Sequence, residues 1–369
     1  MQRRDSMSSA GVHFRLLAVL VAVCGLLTGC EELGIETDGE SEQQESAGTP
    51  TAETGQIPDP PPLNLPPMEG SGNTNPESMS PAGFADYFRS LAPNLITDDD
   101  LIRASQNQQL TAELSELDLR AAPVTAKGVS ALRQLPQLRQ LNLAGSVLQP
   151  DGWNALGQVT QLEVLDLESA GVSDTTLGFL EQLTELRSLS LKNCNLTDIP
   201  FRHLKNLSKL EELDVNGIRQ FTGAGMEALG PAGARAPLRI LRATGTKFGV
   251  FGFEHIGRLN TLEEFAAGAA GVTDAGLAEL KGNSNLRVLH VGGNSLSDAG
   301  LRSIGAFKAL EDLDVSGHRL VSDASLRRMR ALKALRILNL EGTSCTPDGI
   351  KALKGALPDC RIRFGGTEY

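Results

Sequence analysis

The side chains able to do chemistry are scattered along this chain. His203, His255, His290 and His318 fall in separate segments, as do Cys194, Cys345 and Cys360, and none has the clustered spacing that zinc ligation demands. No Gly-x-Ser-x-Gly elbow, His-Glu-x-x-His helix or glycine-rich phosphate loop occurs, so the usual nucleophile, metal and nucleotide devices are missing. Asp98, Asp99 and Asp100 follow Thr97, but the alternating oxygen ligands and closing glutamate of a calcium loop are lacking; a helix N-terminus accounts for them better. The three cysteines beyond Cys30 are an odd number, which excludes a full disulfide framework. Cys345 and Cys360 could pair in an oxidising compartment, or serve as small buried apolar residues, the reading their unlike settings favour. We expect no catalytic residue, no metal and no cofactor, and so no enzyme. What remains are charges that recur in register, and these depend on the elements that place them.

Leu-x-x-Leu-x-Leu recurs at Leu114/Leu117/Leu119, Leu138/Leu141/Leu143, Leu162/Leu165/Leu167 and Leu186/Leu189/Leu191, a step of 24 positions. The same offsets continue through Leu210/Leu213/Val215, Leu238/Leu241/Ala243, Leu262/Phe265/Ala267, Leu286/Leu289/Val291, Leu310/Leu313/Val315 and Leu335/Leu338/Leu340 to a terminal Leu357/Cys360/Ile362. A period of this size means stacked supersecondary units, each burying its apolar side only against its neighbours. Extra residues near Ile218–Phe221, Gly230–Pro237 and Arg319–Val321 belong in loops. The second half of each unit carries a shared phrase, Val272-Thr273-Asp274-Ala275-Gly276-Leu277 and Leu296-Ser297-Asp298-Ala299-Gly300-Leu301 being near copies. Its Ser or Thr supplies an N-cap oxygen and its Asp complements the helix dipole. Each unit reads as strand, turn and capped helix.

This pattern, from Leu114 to the C-terminus, resembles the leucine-rich repeat, and its helical phrase is similar to the ribonuclease-inhibitor-like and cysteine-containing classes. The resemblance implies an α/β solenoid with a curved parallel sheet on the concave side, helices on the convex side, and partner binding as its work. The position where such repeats carry a ladder of Asn or Cys is here Ala122, Ser146, Ala170, Cys194, Thr246, Ala270, Asn294, His318 and Thr343. A patchy ladder leaves loop backbone to find other partners, because unpaired buried groups are costly.

Strand side chains alternate, so if Leu141 and Leu143 point inward, their neighbours face outward. One outward column runs Asp118, Asn142, Asp166, Ser190, Asp214, Arg242, Ala266, His290, Asp314, Asn339. Glu116, Glu168 and Glu212 lie beside Asp118, Asp166 and Asp214, giving an acidic face that either keeps the strands soluble or recognises a basic ligand. The column changes character at Arg242. Arg242, Thr244, Ala266, Gly268, His290 and Gly292 form a small, smooth, nearly uncharged patch beside the aromatic loop Phe248–Phe253, and we expect it to contribute more to partner binding than the acids before it. Phe248 and Phe253 are expected in the core, as is Trp153.

The N-terminus speaks to location. Arg3, Arg4 and Arg15 precede the apolar run Leu16–Val23, which is short for a bilayer span and reads as a signal-peptide core over residues 1–29; Met7 is an alternative start. Leu27-Thr28-Gly29-Cys30 resembles the bacterial lipobox, which implies lipidation of Cys30, export and membrane anchoring in a bacterial envelope, periplasmic or at the cell surface. Residues 31–80 hold eleven acids, no Lys or Arg and the run Pro58-Asp59-Pro60-Pro61-Pro62, a composition that cannot offset ordering entropy. Residues 30–80 are therefore expected to be a lipidated, disordered tether with a reach on the order of 40 Å. Those acids equal in size the whole-chain net charge of −11, so the rest is near balance. With no basic stripe evident, nucleic acid is not expected as a partner. Phe84, Tyr87, Phe88 and Leu91 fall at helical spacing, so residues 81–113 are expected to cap the array of 114–369, which ends in a half-repeat. Together these residues predict a lipid-anchored binding protein for a protein or glycan-polymer partner; the alternative is a structural envelope component acting through self-association or wall contact.

Overall fold

The computed structural model describes residues 79–229 and 237–369. They belong to the compact unit Glu69–Tyr369. The signal peptide, Cys30, nearly all of the expected tether and most of the insertion at Gly230–Pro237 lie outside the described residues. No helix among those described is long and apolar enough to cross a membrane.

The array opens with α1 (Pro81–Ser90), α2 (Asp98–Gln106) and α3 (Gln108–Glu113). Phe84 and Phe88 of α1, Leu101 of α2 and Leu110 of α3 are buried in the same core as the first repeats. Thr97 makes a capping box on α2 with Asp100, so these acids are helix-start groups. Eleven parallel strands then follow in sequence order: β1 (Glu116–Asp118), β2 (Gln140–Asn142), β3 (Val164–Asp166), β4 (Ser188–Ser190), β5 (Glu212–Asp214), β6 (Ile240–Arg242), β7 (Glu264–Ala266), β8 (Val288–His290), β9 (Asp312–Asp314), β10 (Ile337–Asn339) and β11 (Arg361–Phe364). The two-residue β12 (Thr367–Glu368) returns antiparallel on β11, covering the last parallel edge with a strand too short to template further pairing.

Register follows the leucines. Leu117 pairs with Leu141, Leu141 with Leu165 and so on through Leu213–Leu241–Phe265–Leu289 to Ile362, and this inward column is almost wholly buried. Phe201, Phe221, Phe248, Phe253 and Phe265 stack into one aromatic core, neighbouring centroids lying 4.5–6.0 Å apart. Phe248 and Phe253 are thus core residues, and the expected aromatic loop is largely a helix, α6 (Val250–Gly257). Trp153 is buried and stacks on Phe179. Cys194, Cys345 and Cys360 are free and buried. Burial lifts the Cys194 and Cys360 thiols to about 11, so neither supplies thiolate at neutral pH.

The return segments depart from a uniform capped α-helix. Those at Ala126–Ala131 (α4), Pro150–Leu156 (α5), α6, Asp274–Glu279 (α7), Asp323–Met329 (α8) and Pro347–Ala356 (α9) are α-helical. Those at Leu177–Gln182, Ile199–Asn206, Ala224–Leu229 and Gly300–Ala306 are 3₁₀. A 24-residue unit leaves few residues for the return, and 3₁₀ spans more length per residue than α.

The Asp of the helical phrase does more than face a dipole. Asp274 accepts from the Ser297 backbone N–H at 2.9 Å and from its hydroxyl at 2.5 Å, one repeat further on. Asp98 grips Thr125 in this way, Asp174 Thr197, Asp198 Thr222, Asp298 Ser322 and Asp323 Thr346. The phrase's Gly receives the preceding carboxylate: a Cβ at Gly300 would stand 2.1 Å from Asp274 Oδ1 and one at Gly349 2.2 Å from Asp323 Oδ1. Where Ser325 replaces that Gly, its hydroxyl donates to Asp298 at 2.5 Å. Thr-Asp-x-Gly is therefore an inter-repeat clasp.

The patchy loop ladder is completed by whatever residue stands there. Ser146, Cys194 and Asn294 donate to the preceding repeat's carbonyls of Leu119, Leu167 and Ala267. His318, buried, sits between Val291 O at 2.9 Å and Asn294 O at 3.0 Å. Thr246 and Thr343 donate within their own turns instead.

Candidate functional site

The outward residue that ends most of the strands has a structural task. Asp118 Oδ1 accepts from the N–H two residues on, Arg120, at 3.1 Å; Asn142, Asp166, Asp214, Asp314 and Asn339 do the same at 2.8–3.1 Å. These are Asx turns that close the strand end. One oxygen of each acid in the column is thereby committed to the fold.

Among the described residues Ser190 on β4 makes no such bond, and three adjacent strands give the cap up together. Arg242, Ala266 and His290 occupy the position on β6, β7 and β8, and neither a guanidinium nor a methyl can accept such a bond. Thr244 N–H is served instead by Asn216 Oδ1 at 2.6 Å. The six residues of the expected patch do meet on these strands and the turns after them, but the patch is not nearly uncharged. Arg242 donates through Nε to Glu264 at 2.7 Å and through Nη1 to Glu212, so its guanidinium bridges two carboxylates across β5, β6 and β7 and offers no free cation. His290 Nε2 lies 3.1 Å from Asp312 Oδ1. The hydrogen bond to Asp312 raises the His290 pKa against the opposing effect of burial, with Asp314 and Glu264 adding to the rise.

The smoothness of the patch has two causes. A Cβ at Gly292 would meet Ser316 Oγ at 2.7 Å and Asp314 Oδ1 at 3.0 Å, so any larger residue there would push side chains of the next repeat aside. Gly268 is different. Its Cβ would make only ordinary contacts, at 3.5 Å and beyond, with Gly292 and Thr244.

Of the acids expected to form a second face, Asp118 and Arg120 pair with each other, Glu168 holds Lys192 at 2.9 Å, and Glu212 is held by Arg242. Asp166 caps its own turn. Asp214 stands out. Burial raises its pKa, and the N–H of Asn216 with the charge of Arg242 does not fully compensate. A carboxylate left costly in this way costs the fold stability at neutral pH.

A charge pattern that our reading of the strands missed runs along the position just before each strand: Arg139, Glu163, Arg187, Glu211, Arg239, Glu263, Arg287, Glu311, Arg336. Contacts of 2.5–3.7 Å link Arg139 through Glu263 in one chain, and Arg287 pairs with Glu311 at 2.9 Å. Each exposed pair is worth little alone, but the alternation neutralises this rim. The signal lay in the sequence, visible only with the repeats aligned at this offset.

Two shallow depressions, of about 490 and 430 Å³, lie on the helix side. The first is lined by Glu254, Arg258 and Glu279 among others, the second by Ile199, Arg202, Ala224 and Glu227. Neither brings together groups arranged as a nucleophile with its base. Among the described residues no cluster of His, Cys, Asp and Glu could hold a metal ion.

A family model described as a leucine-rich repeat region matches residues 148–356. No curated protein matches the chain in sequence. Among solved structures the chain is similar to an internalin from Listeria monocytogenes, at 19% identity and a TM-score of 0.51, covering 78% of this chain and 95% of that one. It is also similar to a leucine-rich-repeat protein of Leptospira interrogans, at 19% identity and a TM-score of 0.43, covering 71% of this chain and 80% of that one.

Proposed function

The chain belongs to the leucine-rich-repeat family, a family of binding scaffolds, and from that premise we propose that the strand face of β5–β9 receives a protein partner. The observation that carries the reading is the loss of the strand-end cap on three successive strands. There the fold no longer dictates the outward residue, and small side chains lie between a rigidly held arginine and a histidine. Ala266 and Gly268 let a partner's backbone or a single side chain come close, while Asp214, Glu264, Asp312 and Asp314 favour a partner that is basic where it touches. No Phe, Tyr or Trp faces outward on β5–β9 to stack on a sugar, which favours protein over glycan. Arg242 acts here as a fixed bridge that shapes the surface, not as a free anchor.

The same reading keeps the chain non-enzymatic, lipidated at Cys30, exported and held on the bacterial envelope by a tether, with residues 81–113 as its cap. Self-association end to end has less support, because β12 covers the last parallel edge. The test uses the full chain with Gly268→Leu, which adds a side chain to the surface at a position with room for its Cβ. Affinity capture from envelope extract should lose the wild-type partner by at least about tenfold, equivalent to about 1.4 kcal/mol, with melting unchanged and with Asp348→Ala on the helix side as a neutral control. Capture at wild-type strength by a folded Gly268→Leu chain would remove this surface from consideration.

A further inference from the structure

The helix side of the last three repeats is not balanced in charge. From Ala299 to Leu310 and from Ala324 to Arg336 there is no acid; the earlier returns Ala126–Leu138 and Ile199–Leu210 lack acids too, but each stands between returns that carry Asp151, Glu181, Glu227, Glu254 or Glu279 or beside the cap, so two acid-free returns are adjacent only here. Aligning the units on the buried Leu301, Leu326 and Ile350 puts Arg302, Arg327 and Lys351 side by side on successive repeats. Lys308 and Lys333 align in a second row, with Arg328 and Arg330 between. All seven are exposed. The side chains of Arg302, Lys308, Arg327, Arg328 and Arg330 make no ion pair or hydrogen bond among the described residues. Lys351 stands 3.8 Å from Asp348, and Lys333 donates to the Ala356 carbonyl. The expectation that no basic stripe exists is therefore corrected: the cations are spread over three units and disappear in the chain's overall balance.

We propose that this face docks on a membrane surface bearing anionic phospholipid headgroups. The cations extend across neighbouring repeats, and alanines (Ala306, Ala309, Ala331, Ala334) lie among them. Neither depression described above reaches this face. An extended sheet of negative charge fits such a surface better than a compact anion does. Each cation close to an anionic leaflet adds to attraction within a Debye length. Single-stranded nucleic acid is the competing polyanion, but base stacking needs exposed aromatic rings, and Phe307, on this segment, is buried. The acidic strand face would be repelled by the same membrane, so docking through the helices leaves it free. This inference concerns a different face from the proposed partner surface and stands without it.

The test is co-sedimentation of the full chain with vesicles of phosphatidylglycerol mixed into phosphatidylcholine, against pure phosphatidylcholine vesicles and a single-stranded DNA oligonucleotide. Every chain carries Cys30→Ser, so that an acyl anchor cannot decide the result. The account expects at least tenfold tighter binding to the anionic vesicles, weakening steeply with salt, and loss of that preference in Arg302→Gln/Arg327→Gln/Arg328→Gln/Arg330→Gln. If the fourfold variant melts early, Lys308→Gln/Lys333→Gln/Lys351→Gln takes its place and should reduce the preference. Equal binding to both vesicles, a preference retained by a folded variant, or tighter binding to the oligonucleotide than to the vesicles would overturn the proposal.

Discussion

Asp214 holds a carboxylate where burial makes its charge costly, although the same turn is closed in two other repeats by Asn142 and Asn339. An amide would cap as well without the desolvation. With its folded pKa raised above the unfolded value, Asp214 lowers stability as pH climbs from the ordinary carboxylate value through the folded one, and the penalty persists above it. Asp214→Asn is therefore expected to melt a few degrees higher than wild type at neutral pH and to lose that advantage in acid, which paired melting curves across pH would show. The same variant should weaken partner capture, because the charge is retained at a cost that the fold does not need. His290 titrates in the opposite sense. Its folded pKa is raised by Asp312, so the pairing contributes fully below the unfolded value and fades as pH rises through the folded one. Wild type and His290→Ala should accordingly differ most in melting on the acid side of neutrality. The column of acids was legible in the sequence. Its double duty as Asx caps was not, since that depends on which N–H each oxygen meets, and the expectation of a nearly uncharged patch failed because Glu212 and Glu264 flank Arg242 only after the strands pair.

The clasp between successive helical phrases makes a prediction at the level of elements. Asp274→Ala removes two hydrogen bonds to a charged acceptor from Ser297 of the next unit and should cost about 2–3 kcal/mol. Gly300→Ala alone drives a methyl against Asp274 and should cost a comparable amount, while adding it to Asp274→Ala should cost much less than the sum; a double-mutant cycle reads the coupling. Additive losses would mean that the Gly and the Asp act independently. At Asp298, burial favours protonation, yet bonds from Ser322 and Ser325 outweigh it and leave the pKa lowered. Its contribution is present above the unfolded value and is lost as pH falls through the folded one. The helical phrase could be read off the sequence as Ser or Thr, Asp, x, Gly with a cap and a dipole partner. Its reach into the next repeat could not, because a period says which residues are equivalent but not that one unit's carboxylate lies on the next unit's glycine. Four returns became 3₁₀ for a related reason, since the leucine offsets constrain where the chain must be and leave its winding open.

For the array as a whole, one core runs from α1 to β11, and no repeat holds a core of its own. Leu189→Asp, at a fully buried position on β4, places an unpaired charge at its middle and should cost more than about 4 kcal/mol, abolishing cooperative melting on both sides of the substitution; a second, unaffected transition would show that the halves fold separately. The solenoid was legible because its signal is repeated many times, whereas a binding surface is defined by where the repeats stop agreeing. That is why the change of character on the strand face at β6–β8 was legible in the sequence and the basic helix face was not. The central claim is that partner binding occurs on the strand face of β5–β9. The most direct test is photo-crosslinking of the full chain carrying a photoreactive side chain at exposed Thr244, with one at exposed Glu227 on the helix side as comparison. The account predicts a crosslinked partner from position 244, competed away by unmodified protein, and none from 227. Crosslinking from 227 but not from 244 would contradict it.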